Sequence, residues 1–275
     1  MKTKTKSLKI SFLIIMVFMF CSCVKDAYTP TQNNFVKKIK NGGYIVGQYT
    51  YTPDNLISEV NSTLFYRKYY YDDSKKLIKV DVAISPSSLS SIAPSGSTHE
   101  FVDPVKTGIT MYSLYQYEKN GNLAKQLNYV PENGQFVFRS MRSFEYDNNN
   151  MISKILLHDS DSTVTQMYTF NYDNYGNVIE WNYLTYLFIP DGTGPKLLTM
   201  TTFEYDSYYN PYSVFKQSGN PGINSNRNNI IKTITHNYEP VPGTPEFSES
   251  ITSYEYNTQT GYPVKVIGGE EFIYE

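Results

Sequence analysis

The chain has little with which to do redox or metal chemistry. Its 275 residues include two cysteines, three histidines and one tryptophan. Both cysteines, Cys21 and Cys23, stand close to the N-terminus, so no disulfide or thiolate cluster staples the remainder. His99, His158 and His236 lie far apart without an HExxH or other paired metal spacing, which favours structural roles for all three. No GxSxG elbow, P-loop or GxGxxG turn occurs, and Asp191-Gly-Thr-Gly194-Pro195 reads as a loop. Charge is scarce as well, at 18% of residues against a usual value of about 25%. A net charge of -2 and a pI near 6.0 leave no basic footprint, which excludes nucleic acid as a partner. Beyond the first 24 residues no stretch keeps a 3.6-residue apolar period, so helical folds are excluded. No cofactor is expected.

Aromatic residues are what the chain has in excess. It holds 27 Tyr and 15 Phe, and aromatic residues make up 16% of the whole. Such a composition excludes a disordered chain and a charged coiled coil, and it supplies ample material for a core.

At the N-terminus, Lys2, Lys4, Lys6 and Lys9 precede an almost unbroken apolar run from Ile10 to Phe20. A membrane-spanning helix needs about 20 residues; this run of 11 matches the apolar core of a secretory signal peptide. The alternative is an uncleaved anchor. Phe20-Cys21-Ser22-Cys23 closes the run and resembles the lipobox of bacterial lipoproteins, with Phe20 where Leu is commoner. That resemblance implies cleavage before Cys23 and acylation of its sulfur, so that the partner of the N-terminus is a membrane. The expected location is the outer membrane of a Gram-negative cell, facing the periplasm or the surface. Residues 1–22 then form the signal peptide, 23–34 a lipidated tether containing the polar VKDAYTPTQNN, and 35–275 the folded domain. Removing residues 1–22 takes away four lysines and no acid, which lowers the formal charge from -2 to -6.

The domain is written as one unit repeated. An aromatic-x-Tyr pair recurs as Tyr49-Thr-Tyr51, Tyr69-Tyr-Tyr71, Tyr115-Gln-Tyr117, Phe144-Glu-Tyr146, Phe170-Asn-Tyr172 and Phe203-Glu-Tyr205. His236-Asn-Tyr238, Tyr254-Glu-Tyr256 and Phe272-Ile-Tyr274 continue the series. Most copies run into a polar turn and then an apolar residue, as in Asn120-Gly121-Asn122-Leu123 and Tyr175-Gly176-Asn177-Val178. Residues i and i+2 of a strand share a face, so each pair lies side by side on the sheet. The Asp or Glu that follows starts an Asx-type turn, and Gly or Asn tolerates a positive φ. The unit is therefore a strand, a turn and a returning strand, and the series predicts an all-β meander of about sixteen antiparallel strands. A sheet that long must curl, so the expected form is one strongly curved or barrel-like sheet. Ser85 to Asp103 breaks the pattern as a long Ser/Pro-rich loop, and Pro190 to Pro195 and Gly219 to Asn229 are lesser interruptions.

The repeat resembles that of the YD-repeat (RHS-like) proteins, with Tyr172-Asp173-Asn174-Tyr175-Gly176-Asn177-Val178 as the nearest copy. Copies such as Tyr238-Glu239-Pro240 are degenerate. With the lipobox, the chain looks like the uncharacterised Gram-negative lipoproteins that carry such repeats, for which a porin-like curved antiparallel sheet is implied and no function is assigned.

Strands of this length also suit an outer-membrane barrel. Along Phe136 to Tyr146 one face carries Phe136, Phe138, Ser140, Arg142, Phe144 and Tyr146, and the other Val137, Arg139, Met141, Ser143 and Glu145. A lipid-facing band does not hold such charges at midstrand, where a basic group costs about 2–4 kcal/mol. The aromatic face is thus taken as buried, in a lipid-tethered sheet outside the bilayer.

The leading expectation for function is a non-catalytic envelope scaffold that binds a protein partner or a glycan. Trp181, Tyr183 and Tyr186, with Tyr208, Tyr209 and Tyr212 near a turn, are the candidate stacking residues; packing across strands is the competing role for all six. Tyr208 and Tyr209 are adjacent and cannot both face inward. The alternative is a carbohydrate-active hydrolase or lyase using Glu180, Glu204 or Asp173 inside the curved sheet. Asp159-Ser-Asp161 reads as a hairpin turn in preference to a Ca²⁺ site, since the twelve-residue calcium-loop pattern is absent.

Overall fold

A computed structural model describes residues 35–85, 100–187, 194–222, 225–239 and 245–274. The proposed signal peptide, Cys23, the tether, His99 and most of the Ser/Pro-rich loop lie outside them. The described residues form seventeen strands in one antiparallel sheet. The first six are β1 (Val36–Asn41), β2 (Tyr44–Tyr51), β3 (Ile57–Ser62), β4 (Phe65–Tyr71), β5 (Leu77–Ile84) and β6 (Met111–Tyr117). Then come β7 (Leu123–Glu132), β8 (Gln135–Tyr146), β9 (Ile152–His158), β10 (Val164–Tyr172), β11 (Val178–Thr185) and β12 (Lys196–Tyr209). The series ends with β13 (Asn228–Asn237), β14 (Phe247–Ile251), β15 (Tyr254–Tyr256), β16 (Pro263–Val266) and β17 (Glu271–Tyr274).

Apart from β14 and β15, neighbours in the chain are neighbours in the sheet, and β1 also pairs with β17, Val36 lying opposite Tyr274. No ladder joins β14 to β15, so the ring of ladders is not closed. The chain itself crosses that gap: Thr252 N donates to Ile231 O at 2.9 Å on one side, and Ile267 N donates to Ser253 O at 2.8 Å on the other. The all-β meander expected from the repeat is therefore present, with seventeen strands in place of about sixteen.

Each turn of the repeat is built as its residues demand. Asp147 Oδ1 accepts from Asn149 N at 2.9 Å and Met151 N at 2.8 Å, and Asp173 Oδ1 accepts from Tyr175 N and Asn177 N. The fourth turn residue takes a positive φ in Asn55, Lys75, Gly121, Asn150 and Gly176. A β-bulge stands immediately before Tyr51, Tyr71, Tyr117, Tyr146, Tyr172, Tyr205 and Tyr256. Each bulge adds twist, and all seven lie at the same end of the sheet, which curls it in one sense.

The second tyrosine of the pair has a specific task. Tyr71 donates its phenol proton to Ile57 O at 2.8 Å, Tyr117 to Leu77 O at 2.9 Å, Tyr146 to Leu123 O at 3.0 Å and Tyr172 to Ile152 O at 2.7 Å. Each acceptor is the first strand residue after the preceding tyrosine turn. Tyr51, Tyr205 and Tyr274 reach the Val36, Val178 and Pro263 carbonyls in the same way, whereas in the Tyr254–Tyr256 pair the first tyrosine reaches Ile230 O and the second donates to Asp206 Oδ2. A net gain of about 0.5–1.5 kcal/mol per bond explains why this position is Tyr while the first aromatic is Tyr or Phe.

Three expectations need correction. Tyr238 is not a working copy: it follows the end of β13 opposite the tyrosine turns, is 53% exposed, and reaches only Met200 Sδ at 4.0 Å. The face assigned to Phe136 and Phe138 is also wrong. A register shift between Asn128 and Tyr129 flips the strand, so Tyr129, Phe138, Phe136 and Tyr112 cluster on the outer face while Ser140, Arg142 and Phe144 face inward. Finally, the chain does form short helices. Asp103 caps α1 (Pro104–Thr107) by accepting from Val105 N at 3.0 Å, and a 3-10 segment spans Pro211–Ser218.

The core lies on the inner face, where Ile57, Val60, Leu77, Val80, Leu123, Phe144, Ile155, Phe170 and Val178 are buried together. The outer face carries cross-strand ion pairs such as Lys154–Glu145 at 2.8 Å and Lys68–Glu59 at 3.6 Å, as the alternation of polar residues implies. Among the described residues no helix is long and apolar enough to cross a membrane.

Candidate functional site

The interruption after β12, read from sequence as a minor loop, folds into the sheet's interior. Residues 210–222 leave the tyrosine end and turn inward, residues 225–227 lead back to the sheet, and a set of buried asparagines fastens them. Asn226 Oδ1 accepts from Val178 N at 2.9 Å, and its Nδ2 donates to the Tyr205 hydroxyl at 2.8 Å. Asn177 and Asn228 exchange two bonds of 3.0 Å, and Asn210 Nδ2 donates to Asn226 O at 3.1 Å. Short amides suit this role because each donates and accepts, which satisfies backbone groups of both the insert and the sheet. Phe215 then packs against Tyr49 on β2, ring centroids 5.8 Å apart. Gly219, at φ +70°, sits so near β7 and β8 that a Cβ there would stand 2.6 Å from Leu123 Cδ2 and 3.1 Å from the Phe144 ring.

The insert divides the interior into two hollows. The first, of about 560 Å³, lies against β2 to β8 and is lined by Tyr49, Arg67, Tyr69, Tyr115, Gln126 and Arg142 among others. The second, of about 430 Å³, lies against β9 to β13 and is the more apolar, with Ile155, Tyr168, Phe170, Trp181, Phe203 and Pro221 in its wall. Arg142 and Asn220 belong to both, and Arg142 Nη1 donates to Asn220 Oδ1 at 2.7 Å.

The polar groups of the first hollow form a ladder. Ser113 Oγ donates to Asn128 Oδ1 at 2.8 Å, Gln126 Nε2 donates to the same oxygen at 3.0 Å, and Asn128 Nδ2 donates to Ser140 Oγ at 3.1 Å. Gln126 Oε1 is buried without a hydrogen-bond partner among the described residues. Burial holds the phenols of Tyr49, Tyr69 and Tyr115 well above the ordinary tyrosine range, so they stay protonated donors.

The six aromatic candidates do not form one site. Trp181 and Tyr183 are neighbours on the inner face of β11, and Tyr168 stacks on both, at 5.7 Å and 5.1 Å. Tyr186 lies past the end of β11 with its hydroxyl 4.0 Å from Met167 Sδ. Tyr208 stacks on Tyr256 at 4.0 Å, and Tyr209 lies 5.8 Å from Tyr262, so these two belong to the tyrosine end, away from Trp181. Tyr212 enters the first hollow with the insert; its hydroxyl donates to Glu270 Oε2 at 2.9 Å.

The carboxylates of the hydrolase alternative do not converge either. Glu180 faces outward and accepts from Asn171 Nδ2 and Asn182 Nδ2, and Glu204 pairs with Lys232 at 3.6 Å with 62% of its side chain exposed. Asp173 is spent on its turn. His158 bonds Ser143 Oγ at 2.9 Å, and His236 meets the Phe247 ring edge-on at 5.2 Å. Asp159 and Asp161 cap a hairpin turn through Thr163 N. Among the described residues no three His, Cys, Asp or Glu side chains are grouped to hold a metal ion.

Sequence reasoning did not single out Arg67, and it gave Arg142 no role. Strict alternation placed Arg142 on the aromatic face, which was a signal for it; nothing local marks the insert as interior.

No protein-family model and no curated protein matches the sequence. Among solved structures, a porin-like protein from Bacteroides vulgatus ATCC 8482 is 11% identical, with 88% of this chain and 99% of that one covered and a TM-score of 0.49. A porin-like protein from Bacteroides uniformis ATCC 8492 is 9% identical over 87% of this chain and 98% of that one, with a TM-score of 0.37. The TcdB2-TccC3-TEV structure is 13% identical over 76% of this chain but 11% of its own length, with a TM-score of 0.31.

Proposed function

We propose that the chain is a lipid-anchored envelope protein of YD-repeat type whose curved sheet is a non-catalytic scaffold, and that its ligand is a glycan held in the lumen. The observation that carries this reading is the second hollow, open to solvent beside the inward stack of Tyr168, Trp181 and Tyr183. Flat aromatic faces beside a few polar groups suit sugar rings, whose C–H faces are apolar and whose rims are hydroxylated. The dispersal of Glu180, Glu204 and Asp173 supports binding without turnover. The lipobox-like Phe20-Cys21-Ser22-Cys23 supports the anchor and the outer-membrane location.

Trp181 is the chain's single tryptophan and therefore an internal reporter. Titration with xylotriose, maltotriose and trigalacturonate is expected to shift its emission for at least one of them. Trp181→Ala should lose that binding, followed by calorimetry, while keeping its β-sheet circular dichroism. No shift and no heat with any of the three would sink the lumen reading. For the anchor, cells fed an alkyne-bearing fatty acid should label the wild-type chain and leave Cys23→Ala unlabelled and unprocessed; labelling of the variant overturns it.

A further inference from the structure

We infer that the first hollow is an anion subsite in which Arg67 and Arg142 receive a carboxylate or phosphate ester carried on a saccharide. This rests on the lumen being the binding compartment.

The inference comes from a contrast between the two faces of the sheet. On the outer face cations stand opposite acids in the ladder: Lys68 faces Glu59, Lys154 faces Glu145, Lys232 faces Glu204 and Lys265 faces Glu271. Each of these register pairs is also an ion pair, with N–O distances between 2.8 and 3.6 Å. Inside, the same sheet does the opposite. Arg67 stands between Val60 and Val82 in the ladder, and Arg142 between Gln126 and Leu157. Neither guanidinium forms an ion pair among the described residues, although both line the same hollow. Arg67 is exposed and Arg142 half-buried, yet two like charges lining one hollow repel each other. An anion from outside relieves that repulsion.

The remaining geometry suits such a guest. The Arg67 guanidinium lies 4.4 Å from the centroid of the Phe65 ring, a stack that fixes its plane, and it also engages the Tyr69 hydroxyl. The planar fork of Arg matches carboxylate and phosphate oxygens with paired bonds. Tyr49 and Tyr115, kept protonated by burial, add donors around the same space. Glu270 is the nearby acid. It is engaged by the Tyr212 hydroxyl at 2.9 Å and opens on a separate hollow beside Asn210 and Phe272. Arg142 is bonded to Asn220 and both line the two hollows, so the anion subsite adjoins the aromatic hollow that holds Trp181.

Calorimetric titration of the full chain with trigalacturonate, glucose 6-phosphate and neutral galactotriose separates the cases. The expected result is at least tenfold tighter binding of one acidic probe than of galactotriose, weakened by raising the salt. Trigalacturonate and glucose 6-phosphate tell a carboxylate preference from a phosphate preference. Arg67→Gln, which leaves the Arg142–Asn220 bond in place, should reduce the acidic preference at least tenfold, and Arg67→Lys should restore part of it. An unchanged preference in folded Arg67→Gln and in Arg67→Gln/Arg142→Gln overturns the inference. Equal binding of neutral and acidic probes, with Trp181→Ala abolishing both, overturns it while the lumen reading stands. No binding of any probe overturns both.

Discussion

Above pH 10 the protein is expected to unfold in one steep alkaline transition. The phenols of Tyr51, Tyr71, Tyr117, Tyr146, Tyr172, Tyr205, Tyr254 and Tyr274 each donate to a backbone carbonyl of a neighbouring turn. Burial raises all eight from the ordinary value of 10.0, to about 12 for Tyr117 and Tyr254. Because the folded values are the higher ones, the unfolded chain releases its protons first as pH rises. The stabilisation is complete below pH 10 and is lost between there and about pH 12. Each phenol that stays protonated only in the folded state costs about 1.4 kcal/mol per pH unit. Acting together, eight such groups weigh heavily against the stability of a typical domain, about 5–15 kcal/mol. Loss of β-sheet circular dichroism and the rise of tyrosinate absorbance should therefore coincide near pH 11. Full tyrosinate absorbance by pH 10.5 with the sheet intact would show that the latches do not carry this stability.

Gly219→Ala is expected to destabilise the protein by about 2–4 kcal/mol, an unusually large effect for adding one methyl group. Two costs combine. At φ +70° a side chain is strained by about 1–2 kcal/mol, and its Cβ would meet Leu123 at 2.6 Å and Phe144 at 3.1 Å. Leu123 and Phe144 are themselves buried in the core, so neither yields easily. Gly134, at φ +80° with no atom within 4 Å of its Cβ position, separates the terms, since Gly134→Ala carries strain alone. Denaturant unfolding should place Gly219→Ala below Gly134→Ala by at least 1 kcal/mol, and Leu123→Ala should couple favourably with Gly219→Ala in a double-mutant cycle. Equal losses at the two glycines would mean that the insert does not press on the core.

What could be read from the residues was local. The Tyr-Asp-turn-apolar spacing specifies a hairpin through hydrogen bonds within five residues, as at Asp173 to Asn177, so the meander was legible. The bulges were not, because the extra residues, Ser153 on β9 and Arg139 on β8, look like ordinary strand residues while reversing faces; that is how Phe136 was assigned inward. His236-Asn-Tyr238 has the right letters on a strand that begins, and does not end, at the tyrosine turns. The two hollows depend on Asn210, Asn177 and Asn226 meeting across long sequence separations, and a stretch rich in Gly and Asn looks the same whether it lies over a sheet or inside one. For the candidate site, Trp181 was identified from sequence and Arg142 was placed on the aromatic face, but the stacking partner Tyr168 and the inward Arg67 required the register.

The phenol latches have a consequence for how such a chain changes its length. Each ties a hairpin only to the one before it, as Tyr146 does to Leu123 and Tyr172 to Ile152. Cutting out one complete hairpin, from the residue after one tyrosine turn to the end of the next, would leave a tyrosine facing an equivalent carbonyl. Stability in such arrays is close to a sum over adjacent units. The girth of the sheet is thus adjustable by duplication or deletion in steps of one hairpin, whereas the insert, fitted to particular neighbours at Leu123 and Phe144, sets the number that a filled interior permits.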